Sequence, residues 1–184
     1  MTRLLLSLAL LLVALPASAQ RTASEVPDDA PEWLPMGTAI SNTQDDGKLL
    51  LVYGYASWCG FCIRFDDEVF TDDAVQEYLA EHFAVTRLNI EDTTQVAFHD
   101  ANVTGAELGR AMAISGTPTN VFVDADGGLI TKFPGYTDPE TFLYALQYVR
   151  EEVYETTPFD AYLTARQTGL DLQPEVDDLI APRQ

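Results

Sequence analysis

Apolar and polar positions alternate between two periods along this chain. Lys48-Leu-Leu-Leu-Val-Tyr-Gly-Tyr55 is apolar after its first residue and rich in aromatic and β-branched members. That pattern predicts a strand buried on both faces. Phe61, Phe65, Val69, Val75, Tyr78 and Leu79 then recur at helical spacing with acids between them. Thr71-Asp72-Asp73 breaks this helix and caps its continuation. Phe83 to Ile90 is a second strand, whereas 91–104 is polar without a period and reads as a loop of some fourteen residues, long enough to suspect a role. A small helix follows over Gly105 to Ala113. Gly116-Thr117-Pro118-Thr119 then leads into Asn120-Val-Phe-Val-Asp124, a turn at Asp126-Gly127-Gly128, and Leu129 to Phe133, which together predict a β-hairpin. Asp138-Pro139 opens an amphipathic helix through Arg150, with Asp138 as its cap.

Before the first strand, Met36 to Asp46 forms a short helix ended by Asp46-Gly47. The order β-α-β-α-β-β-α after that helix describes an α/β domain over 36–150. Helix-separated strands are expected to pair in parallel, and the last two to pair antiparallel. Residues 151–184 read as one or two short helices, carrying Phe159, Tyr162 and Leu163 and then Val176, Leu179 and Ile180, that pad the domain surface.

The two ends change the picture. Arg3, the uncharged run Leu4 to Leu15 and Ala17-Ser18-Ala19 have the pattern of a cleaved signal peptide over 1–19. The run is about a dozen residues, short of the ~20 that a spanning helix needs. Residues 20–35, rich in Pro, Asp, Ser and Glu, read as a flexible leader. The expected protein is therefore periplasmic or otherwise secreted, without membrane insertion after cleavage. Charge sharpens this. The 184 residues carry −19, and loss of Arg3 with the signal segment leaves −20. Nucleic acid and anionic lipid are poor partners for such a surface, since both are bound by Lys and Arg neutralising phosphates.

The candidate chemistry is in one place. Both cysteines lie in Trp58-Cys59-Gly60-Phe61-Cys62, between the predicted strand and the predicted helix. A disulfide this short removes little chain entropy, so it is a poor structural staple even in an oxidising compartment. At a helix N-terminus, free N–H groups and the helix dipole would favour a Cys59 thiolate, and Cys62 one turn on would be placed to attack a mixed disulfide. Tetrahedral zinc would need about four ligands. His82 and His99 are the only histidines; they are far apart and read as surface residues, so no metal site is expected. The spacing does leave a copper-relay role for the pair open.

On these residues the chain resembles the thioredoxin superfamily. The match rests on Trp58-Cys59-Gly60-Phe61-Cys62 after a buried strand, on Thr117-Pro118 before the hairpin, and on the element order over 36–150. Phe133-Pro134-Gly135-Tyr136, Phe142, Tyr148, Tyr154 and Phe159 to Leu163 further resemble the SoxW-type periplasmic thioredoxin-like proteins of bacteria. The resemblance implies a thioredoxin fold, a central mixed β-sheet flanked by helices, here with a C-terminal helical extension. It implies a cis Pro118 and catalytic Cys59 and Cys62, with Trp58, Gly60, Phe61, Thr117 and Pro118 meeting substrate. The redox-active pair itself would replace any cofactor. Two departures stand out. Where thioredoxins carry a buried Asp six residues before the first cysteine, this chain has Tyr53, and 91–104 is longer than usual. Asp66, one helical turn after Cys62, is the candidate proton acceptor; a solvated acid on an acidic helix is the competing reading.

The expected activity is thiol–disulfide exchange by a monomer. Its partners would be a disulfide-containing protein or sulfur-carrier substrate and a membrane or soluble thiol electron donor. Resemblance favours the reducing direction. An oxidase or isomerase of the same fold, and a non-enzymatic metal-relay or binding module on the scaffold, are the alternatives.

Overall fold

The computed structural model describes residues 21–98 and 101–169. The expected signal peptide, His99, and the stretch with Val176, Leu179 and Ile180 lie outside the described residues. The elements are α1 (Met36–Asp46), β1 (Leu49–Tyr55), α2 (Gly60–Glu68), α3 (Asp73–His82), β2 (Phe83–Asn89), β3 (Gln95–Phe98), β4 (Ala101–Thr104), α4 (Gly105–Ala111), β5 (Thr119–Val123), β6 (Leu129–Pro134), α5 (Pro139–Arg150), a short 3₁₀ turn (Val153–Glu155) and α6 (Phe159–Thr168). The helix break is where the acids placed it: Asp72 accepts the N–H groups of Ala74 and Val75 and starts α3. Asp138 likewise accepts from the Thr141 N–H at the start of α5, with Pro139 in the first turn.

The central sheet has four strands in the order β2-β1-β5-β6. β1 pairs with β2 in parallel and with β5 antiparallel, and β5 pairs antiparallel with β6. The pairing of β5 corrects the expectation that helix-separated strands run parallel. Thr119, where β5 begins, sits opposite Gly54 near the end of β1, so the strand enters the sheet where β1 leaves it and runs back. The polar stretch 91–104 also differs from a plain loop. Within it, Gln95–Phe98 and Ala101–Thr104 form a separate antiparallel ribbon, with Val96 opposite Val103 and Gln95 opposite Thr104, in which paired backbone groups replace water contacts.

The segment expected as a flexible leader makes contacts with the domain. From Arg21 onward the segment is docked on the domain. Ala23 is fully buried, and the Leu34 N–H donates to the Val85 carbonyl on the free edge of β2. Trp33 packs edge-on against Phe70, with ring centroids 4.8 Å apart, and stacks on Tyr53 at 5.8 Å. A polar composition predicts flexibility only when no apolar residue finds a pocket; here Ala23 and Trp33 do.

Alternation along β1 divides the core in two, as a strand buried on both faces requires. Leu51 and Tyr53 face α2, α3 and α5, among Phe65, Phe70, Phe122 and Phe142. Leu50 and Val52 face α1 and α4, among Met36, Ile40, Leu108 and Ile114. Position 54 continues the second face, and space there is short enough to favour glycine: a Cβ would lie 2.8 Å from Ile114 Cδ1. The C-terminal helix α6 extends the first face, burying Tyr162 and Ala165, and the Tyr148 hydroxyl on α5 donates to the Thr157 carbonyl at 2.6 Å.

Candidate active site

β1 ends at Tyr55, and four residues of turn deliver the chain to the N-terminus of α2. Cys59 occupies the N-cap of that helix in extended conformation. Its sulfur accepts the Cys62 N–H at 3.0 Å, a first-turn donor that it shares with the Cys59 carbonyl, also at 3.0 Å. Cys59 and Cys62 are joined as a disulfide across a Cα–Cα distance of 5.2 Å. Cys62 is fully buried and Cys59 nearly so. Trp58 and Phe61, by contrast, are 71% and 62% exposed, so two large apolar side chains flank the sulfurs in open solvent. Gly60 between them is exposed, with no atom within 4 Å of where a Cβ would stand. The Trp58 indole is held from outside: its Nε1–H donates to Glu91 Oε1 at 2.9 Å.

The Thr117–Pro118 peptide bond is cis. Pro118 is buried, its carbonyl accepts the Gly135 N–H at 2.8 Å, and the next residue opens β5 opposite Gly54. Sheet register therefore brings Thr117 and Pro118 to the end of β1 from which the cysteine turn departs. The Thr117 hydroxyl oxygen is buried without a partner among the described residues.

One helical turn after Cys62, α2 carries one half of a charged pair. Asp66 is fully buried on α2, not solvated as one reading of the sequence had it. Its Oδ2 accepts from Arg87 Nη2 at 2.9 Å, while Oδ1 has no partner among the described residues. Burial pushes the Asp66 carboxyl up to about 6, against the pull of Arg87 and, more weakly, of Arg21. Arg87 comes from β2, directly across the sheet from Tyr53. Its guanidinium lies 4.3 Å from the Tyr55 ring centroid, 5.4 Å from Trp33 and 5.6 Å from Tyr53, a cation enclosed by aromatic faces. Tyr53 stands where the family's buried Asp would be. Its hydroxyl donates to the Cys62 carbonyl at 3.2 Å, and burial raises its phenol well above the ordinary range, so it is a neutral donor.

Sequence reasoning did not single out Arg87, Arg21, Ala23 or Glu91. Arg87 had a signal: it is the only charge in the strand Phe83 to Ile90. A lone cation in a half-buried strand requires a buried partner, and Asp66 is that partner. Among the described residues no group of three or more Cys, His, Asp or Glu is arranged to hold a metal ion. No described helix is long and apolar enough to cross a membrane.

Known proteins share this arrangement. The Thioredoxin-like domain family matches residues 36–150. The thiol:disulfide interchange protein DsbD of Actinobacillus pleuropneumoniae is 33% identical over 103 residues, covering 55% of this chain and 16% of that protein. DsbD of Yersinia pestis is 34% identical over 106 residues, covering 56% and 16%. The chain thus matches only about a sixth of the length of these relatives. A thioredoxin-fold protein from Helicobacter pylori superposes with a TM-score of 0.58 at 26% identity, over 68% of this chain and 83% of that one. With the mixed sheet and the disulfide at the α2 N-terminus, these matches establish that the chain belongs to the Thioredoxin-like domain family.

Proposed function

We propose that the protein is a reductase of protein or sulfur-carrier disulfides, acting in the periplasm or another oxidising compartment. One observation carries the reading: Cys59 caps α2, where helix N–H groups stabilise a thiolate, with Cys62 one turn behind it. The Cys59 thiolate attacks a substrate disulfide, forming a mixed disulfide and releasing one substrate thiolate. Cys62 then loses its proton, attacks the Cys59 sulfur, and expels the second substrate thiolate. The substrate gains two electrons and the protein is left with the Cys59–Cys62 disulfide, which a thiol donor must reduce. Asp66 takes the Cys62 proton, standing in for the acid that Tyr53 displaces. Its burial supports this role, since a carboxylate with a raised pKa is a better base than a solvated one.

Trp58 and Phe61 offer apolar contact to the residues around the substrate disulfide. The backbone at Thr117, just before β5, pairs with an extended substrate segment, as peptides add to free backbone edges. The reducing direction rests on resemblance to thioredoxins, and the compartment on the signal pattern at 1–19. The reduction potential of the Cys59–Cys62 couple tests the direction. A value near that of thioredoxin, about −270 mV, supports the reductase; one near that of DsbA, about −120 mV, overturns it in favour of an oxidase.

A further inference from the structure

The N-terminal segment makes an unusual set of contacts for a stretch without regular structure. Residues 22–25 close a turn on themselves: the Glu25 N–H donates to the Thr22 carbonyl at 3.0 Å, and the Thr22 N–H donates to the Glu25 carboxylate at 2.9 Å. Together with Arg21, this turn is bonded to three separate parts of the site. The Ala23 N–H donates to the Ser57 carbonyl at 3.1 Å, in the turn that carries Cys59. The Ala23 carbonyl accepts from Arg87 Nη2 at 2.8 Å, the same nitrogen that holds Asp66 at 2.9 Å. Arg21 donates to the Ile63 carbonyl at 3.2 Å, one residue past Cys62, and pairs with Asp67 beside Asp66. Ala23 and Asp66 are both fully buried, and the Arg87 side chain is 8% exposed.

We propose that residues 21–25 are a positioning strap for the redox centre, sealing the Asp66–Arg87 pair from water and fixing the cysteine turn to α2. The inference rests on the reading of Asp66 as proton acceptor and adds what keeps that acceptor effective. Three charged groups set the field at Asp66: Arg87 from β2, Arg21 from the strap and Asp67 from α2; Tyr53 from β1, which also feels Asp66, stays neutral. Burial outweighs the two arginines, which is why the carboxyl is raised and not lowered. Lifting the strap lets water reach Arg87 and Asp66 together, and the carboxyl returns toward its ordinary range. A hydrated carboxylate ionises at lower pH and is a weaker base for Cys62.

The test compares a chain beginning at Val26 with one beginning at Gln20, each with and without Asp66→Asn. The readout is the single-turnover rate of insulin disulfide reduction by the reduced protein, followed against pH. The chain beginning at Gln20 is expected to show an acid limb above the ordinary carboxylate range, which moves down by about one unit or more without the strap. Asp66→Asn is expected to abolish the limb in both. Ala23→Pro, which removes the donor to Ser57 and keeps every charge, should shift the limb in the same direction, and it decides the matter if the shortened chain does not fold. A limb that stays in place in the strap variants but vanishes with Asp66→Asn overturns the strap and spares the acceptor. A limb that survives Asp66→Asn overturns the acceptor and the strap with it.

Discussion

The two faces of the sheet bury similar apolar runs to different ends. The α1/α4 face is aliphatic, with Met36, Ile40, Leu50, Val52, Leu108 and Val121. The α2/α3/α5 face is aromatic, with Phe65 set edge-on to Phe142 at 5.1 Å and tilted against Phe70 at 4.9 Å. Among the described residues, the cysteines and the buried ion pair lie on the aromatic face. Aliphatic packing offers nothing to an ion removed from water, whereas the ring faces of Trp33, Tyr53 and Tyr55 partly replace the hydration that Arg87 gives up. The aromatic face is thus both core and site support, while the aliphatic face is core alone.

Substitutions on the two faces should therefore separate stability from exchange. The largest loss is expected from Phe65→Ala, about 3–5 kcal/mol by denaturant unfolding, with slower disulfide exchange because α2 loses its main anchor. Leu50→Ala on the other face should cost about 2–5 kcal/mol and leave the exchange rate of the folded protein unchanged. Equal slowing by both would erase the distinction. Next in size is Arg87→Gln, which strands a buried carboxylate and should cost about 3 kcal/mol at pH 8. Because protonation relieves that cost, the variant should recover part of its stability when unfolding is repeated below pH 6.

A smaller effect concerns the unmodified protein. The folded state holds the Asp66 proton more tightly than the unfolded state does. The contribution of this group to stability is complete below about pH 4, the ordinary carboxylate value, and is lost as pH rises through about 6. Glu68, Glu107 and Asp138, whose carboxyls are held below their ordinary values, contribute with the opposite sign. The informative quantity is hence the difference between the protein and Asp66→Asn, which should grow in favour of the variant from pH 4 to 7. The smallest change is expected from Tyr53→Phe, about 1 kcal/mol for one buried hydrogen bond to the Cys62 carbonyl. A large loss of activity there would give the phenol a chemical role that its neutral state does not suggest.

Much of this arrangement was legible in the residue pattern. The run to Tyr55, the hairpin around Asp126-Gly127-Gly128 and the caps at Asp72 and Asp138 each follow from local chemistry, and local chemistry is what a single sequence exposes. The cysteine pair was legible for the same reason, its partners being three residues apart. What stayed hidden depends on distant contacts. Asp66 meets Arg87 across 21 residues, and Arg87 meets Ala23 across 64. No periodicity reports such pairs, so a buried acid looked no different from a solvated one, and a docked strap looked like a loose leader. The antiparallel entry of β5 was missed because direction is set by the end at which the chain arrives, not by strand propensity.

The central claim is that Cys59 attacks and Cys62 resolves. The most direct measurement is intact-mass analysis of single-cysteine variants after incubation with a disulfide substrate. The account predicts that Cys62→Ser accumulates a mixed disulfide through Cys59, and that Cys59→Ser forms none at a comparable rate. Trapping through Cys62 in Cys59→Ser, or no adduct in either variant, would contradict it.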